Sequence, residues 1–240
     1  MYVSNWIISS VLFFVILIFG AYFYLRKVWF YRDPLRTPPG KEGVIVSPAD
    51  GRVLYIEKIT GGEVHSRKLD QWIKLGEITK LGMDEEIKNG WLVGIYMSPL
   101  DVHFNYSPIA GMVKKVLYIP ARVNLPMVDL WEYINLVFFR RVVDLFAKKF
   151  HFFNERNVLV LEGKDISVIV VEIADRFVNK ITCFVREGEF LKIGQKLSFI
   201  ERGSQVDLII LPPRTGKENL DFKVRCGEQV YGGQTILAEY

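Results

Sequence analysis

The sequence predicts a mainly β (α+β) fold: a flattened β-barrel domain with short helices, preceded by one N-terminal transmembrane helix. Three observations lead to this fold class. An uncharged apolar run lies close to the N-terminus, short β-branched segments alternate with glycine turns along the body, and a glycine-containing pattern recurs near the C-terminus. We divide the 240 residues into an anchor (1–28), a linker (29–42) and a folded domain (43–240).

The anchor is predicted from its length and its flanking charges. The run from Trp6 to Leu25 carries no charged residue, and 20 residues at about 1.5 Å each cover a hydrocarbon layer of about 30 Å. No Lys or Arg precedes it, and four basic residues follow: Arg26, Lys27, Arg32 and Arg36. The positive-inside rule then predicts a single-pass cell-membrane protein with its domain on the cytoplasmic side. A cleaved signal peptide is the alternative, but the run lacks a basic n-region and is too long and aromatic for one.

Composition excludes several classes of function. The net charge of +4 is modest, and no basic stripe interleaved with aromatic residues occurs, so we expect no nucleic-acid partner. The two cysteines, Cys183 and Cys226, form no CxxC pattern. The three histidines, His65, His103 and His151, are scattered. We therefore expect neither a disulfide scaffold nor a metal site.

The body of the chain is predicted to be mostly strands. After a proline-rich linker, "RDPLRTPPGKEG", β-branched and aliphatic segments are separated by glycines at positions such as 51, 62, 90, 111, 163, 188 and 227. The predicted strands are Val44–Ser47, Arg52–Ile59, Leu92–Met97, Met112–Ile119, Val158–Leu161, Ile166–Ile173, Ile181–Val185, Lys196–Ile200, Gln205–Leu211, Lys223–Arg225 and Thr235–Glu239.

One stretch departs from the β pattern. From Leu125 to Phe150 the apolar residues recur at helical spacing, with only a narrow polar stripe, which predicts a helix. A helix that is apolar over most of its circumference must be buried. Two environments fit equally well: the protein core, or the membrane interface with the basic residues of the stretch meeting lipid head groups.

The C-terminal third contains a weak internal repeat. "VREGEFLKIGQKL" (185–197) aligns with "VRCGEQVYGGQTI" (224–236). Such units resemble the half-motifs of biotinyl/lipoyl-like β folds, in which glycine pairs permit tight turns between short strands. Gly203–Ser204 lies between the two units and between two predicted strands, without the asparagine, aspartate or proline of an ordinary hairpin turn.

Three local motifs could carry chemistry. They are "SPADGRV" (47–53), with Asp50, "MSPLDVHFNYSPIAGMV" (97–113), with His103, and "RGSQVDL" (202–208), with Gly203–Ser204. Each has an ordinary explanation by itself: an Asp-Gly turn, a satisfied histidine and a Gly-Ser loop pair.

Together the motifs resemble the phosphatidylserine decarboxylase family, in its shorter branch common in archaea and many bacteria. The resemblance extends over nearly the whole folded domain, in the family's order. The matching segments are "FYRDPLRTPP" (30–39), "SPADGRV", "SPLDVHFNYSPIAGMV", "NERN" (154–157), "VIVVEIADRFVNKI" (168–181) and "ERGSQVDLIILP" (201–212).

The resemblance implies an autocatalytic proenzyme that cuts itself at Gly203–Ser204. The Ser204 hydroxyl would attack the Gly203 carbonyl, and β-elimination followed by hydrolysis would leave a pyruvoyl group on the new N-terminus. A glycine before the serine keeps the carbonyl approachable. His103 is the candidate general base, with an ordinary pKa near 6.5, and Asp50 would orient its imidazole. The products would be a β chain (1–203) and an α chain (204–240), held together noncovalently.

The implied cofactor is this self-derived pyruvoyl group, with Ser204 as its precursor and the Schiff-base residue. Its carbonyl would accept electrons from the head-group serine as carbon dioxide leaves, the role that PLP plays elsewhere. The implied substrate is a phosphoserine phospholipid in the membrane. The lipid backbone, diacyl or archaeal ether (which would make the enzyme an archaetidylserine decarboxylase), and any higher oligomer stay open.

Two positions depart from the pattern of relatives. Many longer relatives carry a second histidine where this chain has Tyr106, and a phenol is no base near neutral pH. Short-branch relatives tend to carry two arginines where this chain has "VNKI" (178–181), and Lys180 lacks their bidentate fork.

Three other interpretations each fit part of the sequence. A non-enzymatic membrane-anchored lipoyl-like adaptor fits the anchor and the half-motifs, but it would need a coiled-coil hairpin, and no sustained heptads occur. A family member that has lost self-cleavage conflicts with the presence of Asp50, His103 and Ser204. A pyruvoyl decarboxylase of a soluble amino acid conflicts with the anchor.

Overall fold

The N-terminal apolar run forms one helix in this computed structural model, which describes residues 2–66, 69–81, 87–176, 181–201, 203–214 and 220–240. Helix α1 (Tyr2–Tyr24) continues into a π-helical turn, Leu25–Trp29. The stretch Trp6–Trp29 has a mean hydropathy of 2.4, and no part of its most apolar window is buried against the domain. This helix is long and apolar enough to cross a membrane.

The rest of the described chain consists mainly of short strands. They are β1 (Val44–Val46), β2 (Gly51–Thr60), β3 (Glu63–Ser66), β4 (Gln71–Lys74), β5 (Asn89–Met97), β6 (Phe104–Tyr106), β7 (Gly111–Ile119), β8 (Arg156–Glu162), β9 (Ser167–Ala174), β10 (Ile181–Cys183), β11 (Phe190–Leu191), β12 (Lys196–Ile200), β13 (Ser204–Ile210), β14 (Asp221–Phe222), β15 (Gln229–Val230) and β16 (Ile236–Glu239). The helices of the domain are α2 (Leu75–Thr79), α3 (Leu130–Val137) and α4 (Phe150–Phe153).

Strand β13 lies in the middle of the main sheet. That sheet has ten strands in the order β11-β7-β8-β9-β13-β5-β2-β3-β4, with β15 also paired to β2. Strand β13 is antiparallel to both neighbours, and its first residue, Ser204, pairs with Met97 on β5 and Ala174 on β9. Two three-stranded sheets, β1-β16-β14 and β10-β12-β6, complete the domain.

Alternate residues of β13 enter two separate apolar cores. Val206, Leu208 and Ile210 belong to one core, and Ile209 belongs to the other. This is the period of two expected for a strand that is buried on both faces. The residue at the head of β13 is therefore held by hydrogen bonding on two sides and by packing above and below.

The two half-motifs adopt the same local structure. Gly188 in the first and Gly227 in the second have φ values of 81° and 92°, a region in which glycine is strongly favoured. The Gly188 N–H donates to the Val113 carbonyl at 2.8 Å, and the Gly227 N–H donates to the Val53 carbonyl at 2.7 Å. Each half-motif thus attaches to an equivalent strand, β7 or β2.

The repeat extends to the strands that receive these bonds. Residues 47–53 and 107–113 share the pattern S-P-x-x-G-x-V. In the first segment the Ser47 hydroxyl donates to the Ala49 carbonyl, and in the second the Ser107 hydroxyl donates to the Ile109 carbonyl, both at 2.7 Å. Asp50 in the first turn corresponds to Ala110 in the second. The turn therefore does not itself require a carboxylate.

The mainly β expectation is confirmed, with corrections. The main sheet is open, with β11 and β4 at its edges, so the expected closed barrel does not form. The strand predicted at Lys223–Arg225 is wrong, because β14 ends at Phe222 and only the Lys223 N–H bonds onward, to Leu237. The hairpin β3–β4 was not expected, since its four-residue strands carry little β pattern.

The single helix predicted over 125–150 is also wrong. Only α3 is helical within it, capped by Asp129 in a capping box with Glu132. Arg140 and Ala147 have φ values of 53° and 60°, which interrupts any continuous helix. The stretch is divided in its environment as well: some apolar side chains enter the core, and others are exposed.

Candidate active site

The Gly203–Ser204 peptide lies at the entrance to the central strand. Gly203 has a φ of 42°, in the left-handed region that glycine adopts most easily. A Cβ at this position would lie 3.3 Å from Oδ2 of Asp175. The preceding residue, Arg202, lies outside the described part of the chain. A crowded, left-handed glycine therefore leads directly into a fully paired strand.

The Ser204 side chain is completely buried, with an exposed fraction of 0%. Its hydroxyl donates to the Met97 thioether at 3.1 Å across the β13–β5 pair. Sulfur is a weak acceptor, so this hydroxyl is not strongly committed to its present partner.

His103 contacts the backbone of Gly203, one peptide before the scissile bond. Its Nε2 atom accepts a hydrogen bond from the Gly203 N–H at 3.2 Å, and its ring is 0% exposed. Phe30 stacks over the imidazole with ring centroids 4.3 Å apart. An accepting Nε2 places the proton of the neutral ring on Nδ1.

Burial strongly favours the neutral form of this histidine. Desolvation lowers the pKa of His103 to about 3, and the nearby Arg32 charge acts in the same direction. The Nδ1 atom has no well-formed hydrogen bond, although the Asp101 backbone carbonyl is near enough to oppose the shift. The imidazole is therefore a free base throughout the neutral range.

Asp50 is nearly buried and forms an ion pair. Its Oδ2 atom accepts from Nη2 of Arg36 at 2.8 Å, and its Oδ1 atom accepts from the Gly232 N–H at 2.7 Å. Burial raises the pKa of Asp50, while the Arg36 and Gly232 bonds oppose this rise. Arg36 comes from the predicted linker, which thus contributes a buried cation to the site.

The structure brings together Gly203, Ser204 and His103 but does not place Asp50 on the imidazole. Among the hydrogen bonds of the described residues, none joins Asp50 to His103. Arg32 interacts electrostatically with both residues. Its charge lowers the pKa of His103, and the charge of Asp50 opposes the lowering of the Arg32 pKa by burial. Asp50 therefore cannot orient the ring by direct contact in this arrangement.

Several buried polar residues around the site were missed by sequence reasoning. Asp175 lies over Gly203, and its Oδ1 atom accepts from the Met127 N–H at 3.0 Å. Gln205, which follows the nucleophile, donates through Nε2 to Tyr55 at 2.6 Å and to Asp207 at 2.7 Å. The only available signal was a polar residue inside an otherwise apolar strand pattern.

The departure at position 106 has a packing explanation. Tyr106 is 1% exposed, and its ring lies against Gly232, where an added Cβ would come within 2.6 Å of it. The Arg36 guanidinium lies 5.7 Å from the centre of this ring. Tyr106 thus packs against both groups that bind Asp50, the Gly232 backbone and the Arg36 side chain. Lys180, the other departure, falls outside the described residues.

Comparison with known proteins identifies the class to which this site belongs. The family model for phosphatidylserine decarboxylase matches residues 23–238. A protein of Methanocaldococcus jannaschii whose name refers to an archaetidylserine decarboxylase proenzyme is 34% identical over 215 residues, covering 89% of each chain. The phosphatidylserine decarboxylase proenzyme of Geotalea uraniireducens is 30% identical over 214 residues, covering 89% of this chain and 78% of its own. That of Granulibacter bethesdensis is 28% identical over 240 residues, covering 100% of this chain and 77% of its own.

The chain is therefore that of a decarboxylase, an enzyme of the carboxy-lyase class. More particularly, the chain belongs to the phosphatidylserine decarboxylase family. The resemblance stated from its sequence motifs is confirmed.

Proposed function

We propose that this protein decarboxylates the phosphoserine head group of a membrane phospholipid to phosphoethanolamine, after cutting its own chain between Gly203 and Ser204. The observation that carries the proposal is the Gly203–Ser204 peptide itself. It stands at the head of the central strand, beside a buried neutral imidazole. The word proenzyme in the names of the relatives is consistent with such processing.

The proposed cut begins with a side-chain rotation of Ser204. Its hydroxyl leaves the Met97 sulfur and turns toward the Gly203 carbonyl carbon through a change of rotamer. Nε2 of His103 accepts the hydroxyl proton, the Oγ–C bond forms, and the amide C–N bond breaks as the proton passes to the released amine. Elimination across Cα–Cβ of residue 204 then releases the Gly203 carboxylate. Hydrolysis expels ammonia.

The residues around position 204 fit the carbonyl group that these reaction steps would leave there. Its strand is held by β5 and β9, so the new N-terminus stays in place after the cut. The neutral imidazole of His103 lies next to this position, and its Nε2 atom is the one that can accept a proton there. Once formed, a pyruvoyl group supplies an electron sink for carbon dioxide loss.

Asp50 is proposed to act through Arg36 and the Gly232 turn. The Asp50 carboxylate holds the linker at the site through its ion pair with Arg36. Its negative charge also acts on the nearby Arg32 cation. Since the equivalent turn contains Ala110, we assign this carboxylate to the site and not to the stability of the turn.

We propose that a lipid substrate reaches the site along an exposed apolar surface formed by α3 and the residues directly after it. Leu130, Trp131, Phe138 and Phe139 are all exposed, by 58% to 76%. Aromatic and aliphatic side chains in such a patch are suited to the membrane interface. A domain resting on this surface could bind a head group while the lipid tails stay in the bilayer.

Intact mass of the purified protein tests the proposal directly. Wild type should consist of chains 1–203 and 204–240, the smaller blocked at its N-terminus, and borohydride added with substrate should link the substrate to that smaller chain. Ser204→Ala should remain one chain without decarboxylase activity. Ser167→Ala, at the far end of the neighbouring strand, is the matched control and should be cut normally. Active wild-type protein in one intact 240-residue chain would exclude the mechanism.

A further inference from the structure

A cleft of about 730 Å³ lies beside the Asp50 turn, between the end of the anchor and the loop after α3. Its charged lining consists of three arginines and two aspartates: Arg32, Arg52, Arg140, Asp50 and Asp101. A volume of this size falls within the range of small-ligand sites.

The two carboxylates of the cleft already have partners. Asp50 is paired with Arg36, as described above. Asp101 accepts from the Ser98 N–H at 2.8 Å and from Nε2 of Gln229 at 2.9 Å. Neither carboxylate forms an ion pair with Arg52 or Arg140 among the described residues.

Arg52 and Arg140 are two cations that have no ion-pair partner among the described residues. Nη1 of Arg52 donates to the Gly227 carbonyl, which carries no formal charge. None of the hydrogen bonds or ion pairs in the described part of the chain involves the Arg140 guanidinium. Burial lowers the pKa of Arg52 and the positive charge of Arg140 lowers it further, while the negative charge of Asp101 opposes the shift. Two cations that repel each other across a cleft are stabilised by an anion between them.

The backbone conformation of Arg140 indicates that the surrounding structure holds this residue in place. Its φ of 53° is uncommon for a residue with a long side chain, and the strain must be balanced by the surrounding structure. The neighbouring Phe138 and Phe139 are exposed at the surface proposed to meet the membrane. Arg140 therefore lies where that surface meets the cleft.

A second cavity adjoins the cleft. A smaller cavity of about 180 Å³ shares Arg52, Arg140 and Asp101 with the cleft and extends to Tyr96 and Ser98. These two residues flank Met97, the strand partner of Ser204. The arginines thus line a space that reaches strand β5, the strand with which Ser204 pairs.

We propose that Arg52 and Arg140 bind the phosphodiester of the phosphoserine lipid, with Arg32 completing the positive wall of the site. The inference rests on the proposed function and adds to it the subsite that holds the head group. A guanidinium fork matches the geometry of phosphate oxygens. The substrate carboxylate is the less suitable ligand, because two cations holding it would stabilise the charge that must be lost as carbon dioxide leaves.

Binding can be measured without turnover in the full-length Ser204→Ala protein. The probe is a dihexanoyl phosphoserine lipid below its micellar concentration, titrated calorimetrically. Charge-assisted hydrogen bonds predict that Arg52→Gln and Arg140→Asn each weaken binding by about 10- to 100-fold, whereas Arg140→Lys should lose less. Asparagine is chosen because it tolerates positive φ. Arg186→Gln, an exposed arginine outside the cleft, is the matched control and should bind normally.

A second pair of measurements separates the substrate phosphate from bulk anionic lipid. Inorganic phosphate should compete with the short-chain probe in the parent protein and much less in Arg140→Asn. If Arg140→Asn instead binds the soluble probe normally and loses only its adhesion to phosphatidylglycerol vesicles, the cleft is a membrane contact and the inference is wrong.

Failure of the proposed function gives a different result. A wild-type chain that is never cut removes the decarboxylase mechanism, while the phosphate affinity of the cleft is still measured in Ser204→Ala. Should Arg52→Gln fail to fold through loss of its Gly227 bond, Arg140→Asn decides alone, because its side chain makes no described hydrogen bond.

Discussion

Nε2 of His103 accepts a hydrogen bond from the Gly203 N–H at 3.2 Å, while the Ser204 hydroxyl donates to the Met97 sulfur at 3.1 Å. The base therefore binds the peptide that precedes the scissile bond, while the nucleophile is bound elsewhere. A change of the Ser204 side-chain rotamer would release its hydroxyl from Met97. The uncut chain thus has its groups assembled but not yet aligned for attack.

The rate of self-cutting should be insensitive to pH between about 5 and 8, as far as His103 controls it. Because burial lowers the pKa of His103 to about 3, the ring stays neutral and able to accept a proton throughout this range. The measurement is the fraction of cut chain over time in freshly synthesised protein. His103→Ala should cut about 10² to 10⁴ times more slowly. A rate that halves near pH 6.5 would show that the imidazole has its ordinary pKa.

The same shift predicts sensitivity of the folded state to acid. Unfolded chains protonate this histidine as pH falls below about 6.5, whereas the folded protein resists protonation until about pH 3. This histidine therefore does not destabilise the folded state above about pH 6.5. As the pH falls from about 6.5 to about 3, the free energy of unfolding decreases progressively. In uncut Ser204→Ala protein, adding His103→Gln should reduce the fall in melting temperature between pH 7 and 5. An equal fall in both proteins would contradict the buried neutral state.

Asp50→Ala should separate a structural from a functional role for the Asp50–Arg36 pair. Both side chains are less than 10% exposed, and removing one partner of a buried pair costs about 3 to 5 kcal/mol. Adding Arg36→Met removes the orphaned cation and should restore much of the melting temperature. Self-cutting should stay slow in the double variant if the carboxylate serves the site. Recovery of both would reduce Asp50 to a packing role.

The site residues and the strands could be predicted from the sequence only where a local sequence pattern identifies them. Ser204, His103 and Asp50 were found through motifs, and the strands through β-branched runs between glycines. The contacts could not be found in this way. Phe30 and Arg36 come from a segment that looked like a linker, and only tertiary folding brings them onto His103 and Asp50.

The error over 125–150 has a related cause. Apolar spacing there indicated a helix, and no Gly, Pro or Asn marks the points where the chain turns. Arg140 and Ala147 adopt positive φ without any sequence signal, because tertiary packing overrides their helix propensity. Burial was likewise misleading, because core residues such as Leu145 and Phe150 and exposed residues such as Phe138 belong to the same apolar pattern.

The exposed aromatic pair should control peripheral membrane binding. In a chain lacking the N-terminal helix, Phe138→Ser with Phe139→Ser should release the domain from liposomes, because these side chains are 70% and 58% exposed and have apolar surface to bury. Phe190→Ser is the matched control, since this residue is 63% exposed on the edge strand β11. Sedimentation with vesicles measures the effect. Undiminished binding by the folded double variant would leave the aromatic surface without a membrane role.

The last prediction concerns the side of the membrane on which the domain lies. Two of the basic residues, Arg26 and Lys27, directly follow the apolar helix, and no Lys or Arg precedes it, so the domain should be cytoplasmic. Protease added to sealed right-side-out vesicles should leave the domain intact and should digest it once detergent is added. Replacing Arg26 and Lys27 with Gln while adding three lysines after Met1 should invert part of the population and expose its domain to protease. Digestion of the wild-type domain in sealed vesicles would place it outside and reverse the assignment.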